Sequence, residues 1–429
     1  MPILPRAALP RSPHATIPPM STDTGDLLHS ARMLPPDLIA AHVSTHAASA
    51  GAIEAQVFLV DRSQRTLSPL SGLGERLAVV GSLAGLVFSG AEAQWTERIE
   101  DEIAAAARLW QPLSNGLDRL GVLALTYPAR PAEADAPAVE AAAVRYASMV
   151  AALVVLKSFY GDGPELARRT HAMSVAAELQ WSLLPPRSFG TAVVGVSGAM
   201  EPAYDIGGDS FDYALDGDHL HVALFDAMGH GLVAATLAAT TVACYRHGRR
   251  AGHGLPGLAA ELDEMIDTQT GGERFVTAWL GRLDVPTGRL CYLNIGHPPA
   301  LLLRDGHVVK ELEAAPELPL GLGTRVDELA LEDLEPGDRV LAYTDGVVEA
   351  RSTEHGYFGE ARLIDFLERE AASGHDGPEI LRRLTRAVVE HQEGQLQDDS
   401  SMVLLEWRGG AEYGYGVHRR ADPHAHPGR

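Results

Sequence analysis

The sequence predicts a mixed α/β (α+β) chain with an N-terminal α/β domain, a helical linker and a C-terminal domain of antiparallel sheets covered by helices. Three observations lead to this prediction. A helix, two strand pairs and a second helix follow one another before residue 158. A helical stretch then ends at Pro185 and Pro186, which cannot continue it. Many short strands separated by turn signals follow, with helices in a few blocks.

The N-terminal domain is expected over 36–158, after a tail over 1–35 that we expect to be disordered. Helices are predicted at 36–50 and 137–160, and Asn115-Gly116 marks a hairpin turn between two strands. The stretches FLVDRSQRTLSPL and PLSNGLDRLGVLALTYP give this segment a resemblance to GAF domains. Such domains are small sensory folds, so the resemblance implies either a small-molecule ligand or a role in dimerisation and signal relay.

The linker is assigned to 159–190, with one helix predicted over 160–184. Apolar and polar residues recur there with 4-3-4-3-4 spacing, which suits a short parallel coiled coil and hence a homodimer. A helix packed on its own domain fits the spacing equally well. The seam consists of Leu166, Thr170, Met173, Ala177, Gln180 and Leu184. The segment MSVAAELQWSLLPP resembles the connector that precedes SpoIIE-like phosphatase domains.

An apolar run over 219–245 is about as long as a membrane span. Asp226, His230 and two glycines interrupt it near its centre, so two shorter elements joined by a turn fit better. We therefore expect no membrane segment there.

Acidic residues recur beside the apolar strands of the C-terminal domain. Asp209 follows two glycines, Asp226 and Asp345 end apolar strands, and Asp398 and Asp399 begin another. One such acid is usually a turn or cap residue. Several that converge would repel one another unless cations bind them, and carboxylates without a Cys or His cluster favour Mg²⁺ or Mn²⁺.

Five ordered motifs then give residues 191–408 a resemblance to the PPM-type metal-dependent protein phosphatases of the SpoIIE-like branch. The motifs are IGGDSFD, FDAMGHG, NIGHPPALLL, YTDGVVEA and DDSSMVLL. The resemblance implies an α-β-β-α sandwich that holds two Mn²⁺ or Mg²⁺ ions at one sheet edge. In such enzymes a metal pair activates water and offsets phosphoryl charge.

The resemblance also implies a role for each acid. Asp209 would bind one metal and Asp226 would bridge both, while Asp345 and Asp398 would bind the other. These four are the expected catalytic residues. Two further metal ligands are implied, namely the backbone carbonyl of Ala227 and the Asp399 carboxylate, which stands where some relatives have an amide.

Other polar residues near the motifs have less defined roles. Asp212 is a candidate for supporting the metal ligands without binding the metal itself. His230 is expected to make a turn or supporting hydrogen bond rather than to bind metal, and His297 to cap a loop rather than to act as an acid. Three histidines in the tail over 409–429, which we expect to be disordered, could chelate metal weakly; they are His418, His424 and His426.

Composition limits the function. The net charge of −22 argues against binding nucleic acid or an anionic membrane surface. Two cysteines in 429 residues indicate a reducing, cytoplasmic setting. The resemblance predicts a serine/threonine phosphatase acting on a phosphorylated anti-anti-sigma (STAS) protein in partner-switching control of a sigma factor, gated by the GAF-like domain. The alternative is a ligand-responsive scaffold whose phosphatase-like domain turns over weakly or not at all.

Overall fold

The computed structural model of the protein describes residues 27–96, 106–205, 207–326, 328–354, 356–394 and 398–409. Its N-terminal part forms an antiparallel sheet between helices, as predicted. The elements are α1 (Leu27–Ser30), α2 (Ile39–Thr45), β1 (Glu54–Val60), β2 (Thr66–Pro69), β3 (Leu77–Ala78), α3 (Leu83–Gly90), β4 (Gln94–Thr96), β5 (Ala107–Asn115), β6 (Asp118–Tyr127) and α4 (Ala136–Ser158).

The N-terminal sheet has the strand order β3-β2-β1-β6-β5-β4 and buries apolar side chains on both faces. Helix α4 covers one face, where the Tyr146 hydroxyl donates a hydrogen bond to the Val43 carbonyl. Part of the tail predicted to be disordered is folded, because Leu27 in α1 and Ala31 just after it are buried in the same core. Residues 1–26 of that tail lie outside the described residues.

Helix α4 has the length and composition of a membrane span, with a mean hydropathy of 1.7 in its most apolar window. In this fold, packing inside the protein explains the apolar side chains of α4. Val150, Leu153 and Val154 are buried against the N-terminal sheet.

The predicted single helix over 160–184 is wrong. The chain instead forms α5 (Gly163–Ala167), an irregular stretch and α6 (Val175–Leu183). The interruption is stabilised locally, since the Ser174 side chain accepts a hydrogen bond from the Ala177 amide and caps α6. The six-residue seam therefore does not lie on one helix, and the coiled-coil argument for a homodimer no longer applies.

The C-terminal part contains a five-stranded sheet, a six-stranded sheet, a small two-stranded sheet and the helices that cover the two large ones. Its helices are α7 (Gly231–Arg250), α8 (Leu255–Thr270), α9 (Asp345–Val348), α10 (Glu360–Ala372) and α11 (Gly377–His391). Its strands are β7 (Ser188–Gly190), β8 (Val194–Glu201), β9 (Asp209–Asp216), β10 (His219–Ala227), β11 (Val276–Asp284), β12 (Arg289–Ile295), β13 (Ala300–Arg304), β14 (His307–Leu312), β15 (Ala330–Asp333), β16 (Arg339–Tyr343), β17 (Arg351–Ser352), β18 (Gly356–Tyr357) and β19 (Ser400–Trp407).

The two sheets have the strand orders β15-β12-β11-β10-β9 and β14-β13-β16-β19-β8-β7. Apolar side chains from both sheets form one core between them. Helices α7 and α8 cover the outer face of the first sheet, and α10 and α11 cover that of the second. The predicted α-β-β-α sandwich is confirmed, and the run over 219–245 divides into β10 and α7.

Candidate metal centre

The predicted acids come together where the ends of the two C-terminal sheets meet. Asp209 begins β9 and lies directly opposite Asp226, near the end of β10. In the other sheet, Asp345 follows β16, and Asp399 immediately precedes β19. Because β16 and β19 are hydrogen-bonded neighbours, the acids that flank them lie at one edge.

Thr344 joins the two sheet ends. Its hydroxyl donates a 2.8 Å hydrogen bond to the Asp209 carboxylate and accepts one of 2.9 Å from the Ser401 amide. The Thr344 amide in turn donates to the Ser401 carbonyl at 3.0 Å. Asp209 is only 2% exposed, so this hydroxyl fixes a carboxylate that has almost no contact with water.

The backbone around the acids approaches so closely that only glycine fits. A Cβ at Gly346 would lie 1.9 Å from the Asp399 carbonyl oxygen, and one at Gly208 would lie 2.0 Å from the Ala227 carbonyl oxygen. The Gly207 amide also donates to both Asp399 carboxylate oxygens, at 2.8 and 3.0 Å. The glycines before Asp209 therefore let its loop pack directly on Ala227 and Asp399.

The electrostatics of the cluster disfavour several negative charges at once. Burial, together with the fields of Asp345, Asp398 and Asp399, raises the pKa of Asp226 to about 7. Burial is also the largest cause of the raised pKa of Asp399, which is about 6. The pKa of Asp209 is raised well above its usual value by burial and by Asp226 and Asp399. Such strain identifies a functional site when it is concentrated at one edge.

These residues fit a pair of hard cations in chemistry, although their side chains do not form a closed shell. Carboxylate and carbonyl oxygens are the donors that Mg²⁺ and Mn²⁺ prefer, and bound cations would remove the repulsion between them. Across the described part of the chain, however, no three acidic, histidine or cysteine side chains already surround one ion position. Hydrogen bonds instead hold Asp209 to Thr344 and Asp399 to Gly207.

Asp212 takes no part in this cluster. Its buried carboxylate pairs with Arg246 at 2.6 Å and with Arg249 at 3.4 Å, both on α7. The expectation that it supports the metal ligands is wrong, because β9 places it three residues away, where these two arginines neutralise it.

The two motif histidines occupy different surroundings. His230 is exposed at the start of α7 and makes no side-chain capping bond there. His297 is buried, shares a 2.9 Å hydrogen bond with Thr277 and has a pKa lowered to about 3 by burial. His297 is therefore neutral at neutral pH and lacks the acidic imidazolium proton that a general acid would donate. The tail histidines lie outside the described residues.

Three residues at the site escaped the sequence reasoning, namely Thr344, Gln180 and Arg274. The buried Gln180 amide on α6 donates to the carbonyls of Gly207 and Asp209, at 2.9 and 2.8 Å. Arg274 donates a 3.3 Å hydrogen bond to the Met228 carbonyl in the turn after Asp226. The only sequence signal for Gln180 is a polar residue within the predicted seam, whereas Arg274 has none.

Comparison with known proteins agrees with this geometry. Residues 216–408 match the family model of Stage II sporulation protein E (SpoIIE). This part of the chain is similar to the SpoIIE family of PP2C-type phosphatase domains. The N-terminal domain lies outside the match, and its GAF-like character stays a prediction.

Curated relatives and solved structures are similar to the same part. Protein IcfG of Synechocystis sp. is 27% identical over 243 residues, which cover 49% of this chain and 37% of IcfG. Phosphoserine phosphatase RsbU of Bacillus subtilis is 23% identical over 235 residues, which cover 54% of this chain and 69% of RsbU. The SiaA-PP2C domain of Pseudomonas aeruginosa is 22% identical, with a TM-score of 0.47 over 54% of this chain and 94% of that domain.

Proposed function

We propose that this chain is a metal-dependent serine/threonine phosphoprotein phosphatase. The observation that carries the proposal is the group of acids at one sheet edge, where burial and the fields of Asp345, Asp398 and Asp399 raise the pKa of Asp226 to about 7. A merely structural role would pair these acids with arginine, as the fold does for Asp212. An unpaired acidic cluster in a SpoIIE-type domain is instead suited to bind cations.

Two ions, Mn²⁺ or Mg²⁺, would be held by the residues that the motifs indicate. These are Asp209, Asp226, the Ala227 carbonyl, Asp345, Asp398 and Asp399. When bound, the ions would supply Lewis-acid activation of water and neutralise phosphoryl charge. The chain's own residues position the site: Thr344 orients Asp209, and Gln180 fixes the loop that carries it. Arg274, beside the exit turn of Asp226, would attract the anionic phosphoryl group.

The substrate we propose is a protein phosphorylated on serine or threonine, specifically a STAS-type protein in a partner-switching pathway in the cytoplasm. Support comes from RsbU, a phosphoserine phosphatase similar to this chain. The net charge of −22 supports a protein substrate over a nucleic acid, since nothing in it would attract a polyanion.

Gating by the N-terminal domain is part of the proposal, and Asp61 provides the contact. This buried carboxylate, just after β1, accepts hydrogen bonds from Thr170 in the linker at 2.8 Å and from Tyr204 at 3.3 Å. Tyr204 belongs to the loop that leads into Asp209. A displacement of the sensory sheet would therefore reach the site loop through two hydrogen bonds.

A second contact joins the domains at the β5–β6 hairpin. Arg119 pairs with Asp376 through two 2.7 Å hydrogen bonds and with Glu379 at 3.2 Å, both at the start of α11. The side chains of Arg119 and Glu379 are 9% and 1% exposed, so their pair is shielded from water, whereas the Asp376 side chain is 40% exposed. Together with the Asp61 contact, this pair holds the N-terminal sheet against the phosphatase domain.

A substrate panel tests the proposed specificity. The full chain with Mn²⁺ is mixed with a serine-phosphorylated STAS protein, and phosphate release is compared with that from the same protein phosphorylated on tyrosine. We expect release from phosphoserine only, and a changed rate in Asp61→Asn. Metal binding without release from any phosphoprotein would contradict the enzyme and favour the regulatory scaffold.

A further inference from the structure

A cavity of about 500 Å³ lies where the N-terminal domain meets β8 and α11. Residues 62–65 form its N-terminal wall, and residues 199–201 with the second half of α11 form the opposite wall. Apolar side chains, including Val80, Met200 and Val389, line part of it. A cavity of this size and mixed lining is typical of sites for small molecules.

Positive charge dominates the lining. Three glutamates line the cavity, which are Glu201, Glu390 and Glu393. Five arginines line it, which are Arg62, Arg65, Arg187, Arg382 and Arg386. In a chain with a net charge of −22, such a local excess of cations is unusual and needs a cause.

Three of the five arginines have partners that account for their charge. Their ion pairs are Arg62 with Glu165 at 2.5 Å, Arg382 with Glu379 at 2.6 Å and Arg386 with Glu390 at 2.6 Å. Neither Arg65 nor Arg187 forms an ion pair with any carboxylate in the described ranges. These two side chains therefore face the cavity without a direct ion pair, although the field of Glu201 on the same wall offsets part of their charge.

The surroundings of Arg187 increase this imbalance. Its guanidinium lies 4.8 Å from the centre of the Trp181 ring, and that of Arg62 lies 4.4 Å from the same ring. Arg187 also donates a hydrogen bond to the Arg62 carbonyl, which keeps the two like charges close. Burial and the fields of Arg62 and Arg168 lower the pKa of Arg187 to about 10.

Two further polar atoms at the cavity are unsatisfied. The Arg62 Nε and the Thr385 hydroxyl are buried and have no hydrogen-bond partner among the described residues. Both can donate hydrogen bonds. An anion in the cavity would relieve the repulsion between the guanidinium groups of Arg62 and Arg187.

We propose that this cavity binds a small organic anion with a phosphate or carboxylate head and a flat or apolar body. The arginines would hold the head, because a guanidinium matches the geometry of both groups. The apolar wall would cover the body. The site is separate from the metal centre, although Glu201 on its wall lies opposite Ser400, the residue after Asp399. It lies between the two domains, where a ligand would contact both.

Calorimetry on the full chain with a chelator present tests the proposal, because the chelator removes the metal ions that would bind a phosphate at the phosphatase site. The probes are AMP, benzoate as the carboxylate, and adenosine as the uncharged match for AMP. The key variant is Arg65→Gln, at an exposed position whose side chain makes no ion pair in the described ranges. Arg145→Gln, on the exposed side of α4, makes the same change of charge away from the cavity.

We expect AMP, benzoate or both to bind the unaltered chain, and adenosine to bind at least tenfold more weakly than AMP. Arg65→Gln should weaken the anion by about tenfold, as loss of one charged hydrogen bond predicts, and Arg145→Gln should leave its affinity unchanged. The preferred anion then identifies the head group. Failure of both anions to bind, or equal affinity in the two variants, would overturn the proposal.

Discussion

Replacing Asp226 by asparagine should stabilise the metal-free protein, because the carboxylate is held where its negative charge is disfavoured. Burial and the fields of Asp345, Asp398 and Asp399 raise its pKa from 3.8 to about 7. Asparagine has nearly the same shape and no charge. The substitution therefore removes the electrostatic cost and leaves the packing of β10 in place.

The size and sign of the effect follow from the pKa. A carboxyl whose folded-state pKa is raised favours the protonated form in the folded protein. The free energy of unfolding that is lost by ionising this carboxyl in the folded protein is zero below its pKa in the unfolded state. The loss grows as pH rises and is complete above its pKa in the folded state. For Asp226 the cost is about 4 kcal/mol at pH 8 and about 2 kcal/mol at pH 5. Asp226→Asn should recover most of it, and more at pH 8.

Urea unfolding with a chelator at both pH values measures this gain. Asp216→Asn, at the exposed far end of β9, is the matched control and should change stability little. Adding Mn²⁺ at pH 8 should make the unaltered chain the more stable of the two proteins. The ion stabilises the chain to which it binds, and Asp226→Asn has one metal ligand fewer. If metal-free Asp226→Asn were less stable than the unaltered chain at pH 8, the reasoning about strained carboxylates would be refuted.

Three further substitutions separate the roles of the site residues. Asp398→Asn should reduce Mn²⁺-dependent phosphate release by at least a hundredfold. Asp399→Asn should retain more activity, because an amide oxygen can still accept the hydrogen bond from the Gly207 amide. Equal losses in the two variants would contradict this division. Gln180→Leu leaves two buried carbonyls unpaired, so calorimetry should show Mn²⁺ affinity reduced about tenfold; unchanged affinity would show that the Gln180 bonds are dispensable. Arg274→Gln should raise KM for a phosphoprotein about tenfold with little change in kcat, and a loss confined to kcat would argue against ground-state binding by Arg274.

The sequence was informative where a local pattern sets the structure. The turn signals of the C-terminal domain predicted short paired strands, and the β9–β10 pairing places Asp209 opposite Asp226. The sequence showed two glycines before Asp209, and the structure gives their reason, the close approach of Ala227. Such features depend on residues within a few positions of one another.

Features that depend on distant residues could not be predicted. The spacing from Leu166 to Leu184 indicated one helix, yet Thr170 bonds to Asp61 more than a hundred residues earlier, and the chain turns there. Gln180 was assigned to a polar seam position because nothing local shows that it faces the Asp209 loop. The short edge strands β3, β4 and β15 were missed for the same reason, since their pairing comes from neighbours in space.

The central claim is that the acids at the sheet edge bind cations to release phosphate from a phosphoprotein. The most direct measurement is the initial rate of phosphate release from a serine-phosphorylated STAS protein by the full chain, with Mn²⁺ and with a chelator. We predict release with Mn²⁺ only, a loss of at least a hundredfold in Asp226→Asn and a normal rate in Asp216→Asn. Release that persists in the chelator, or an Asp226→Asn variant as fast as the unaltered chain, would contradict the account.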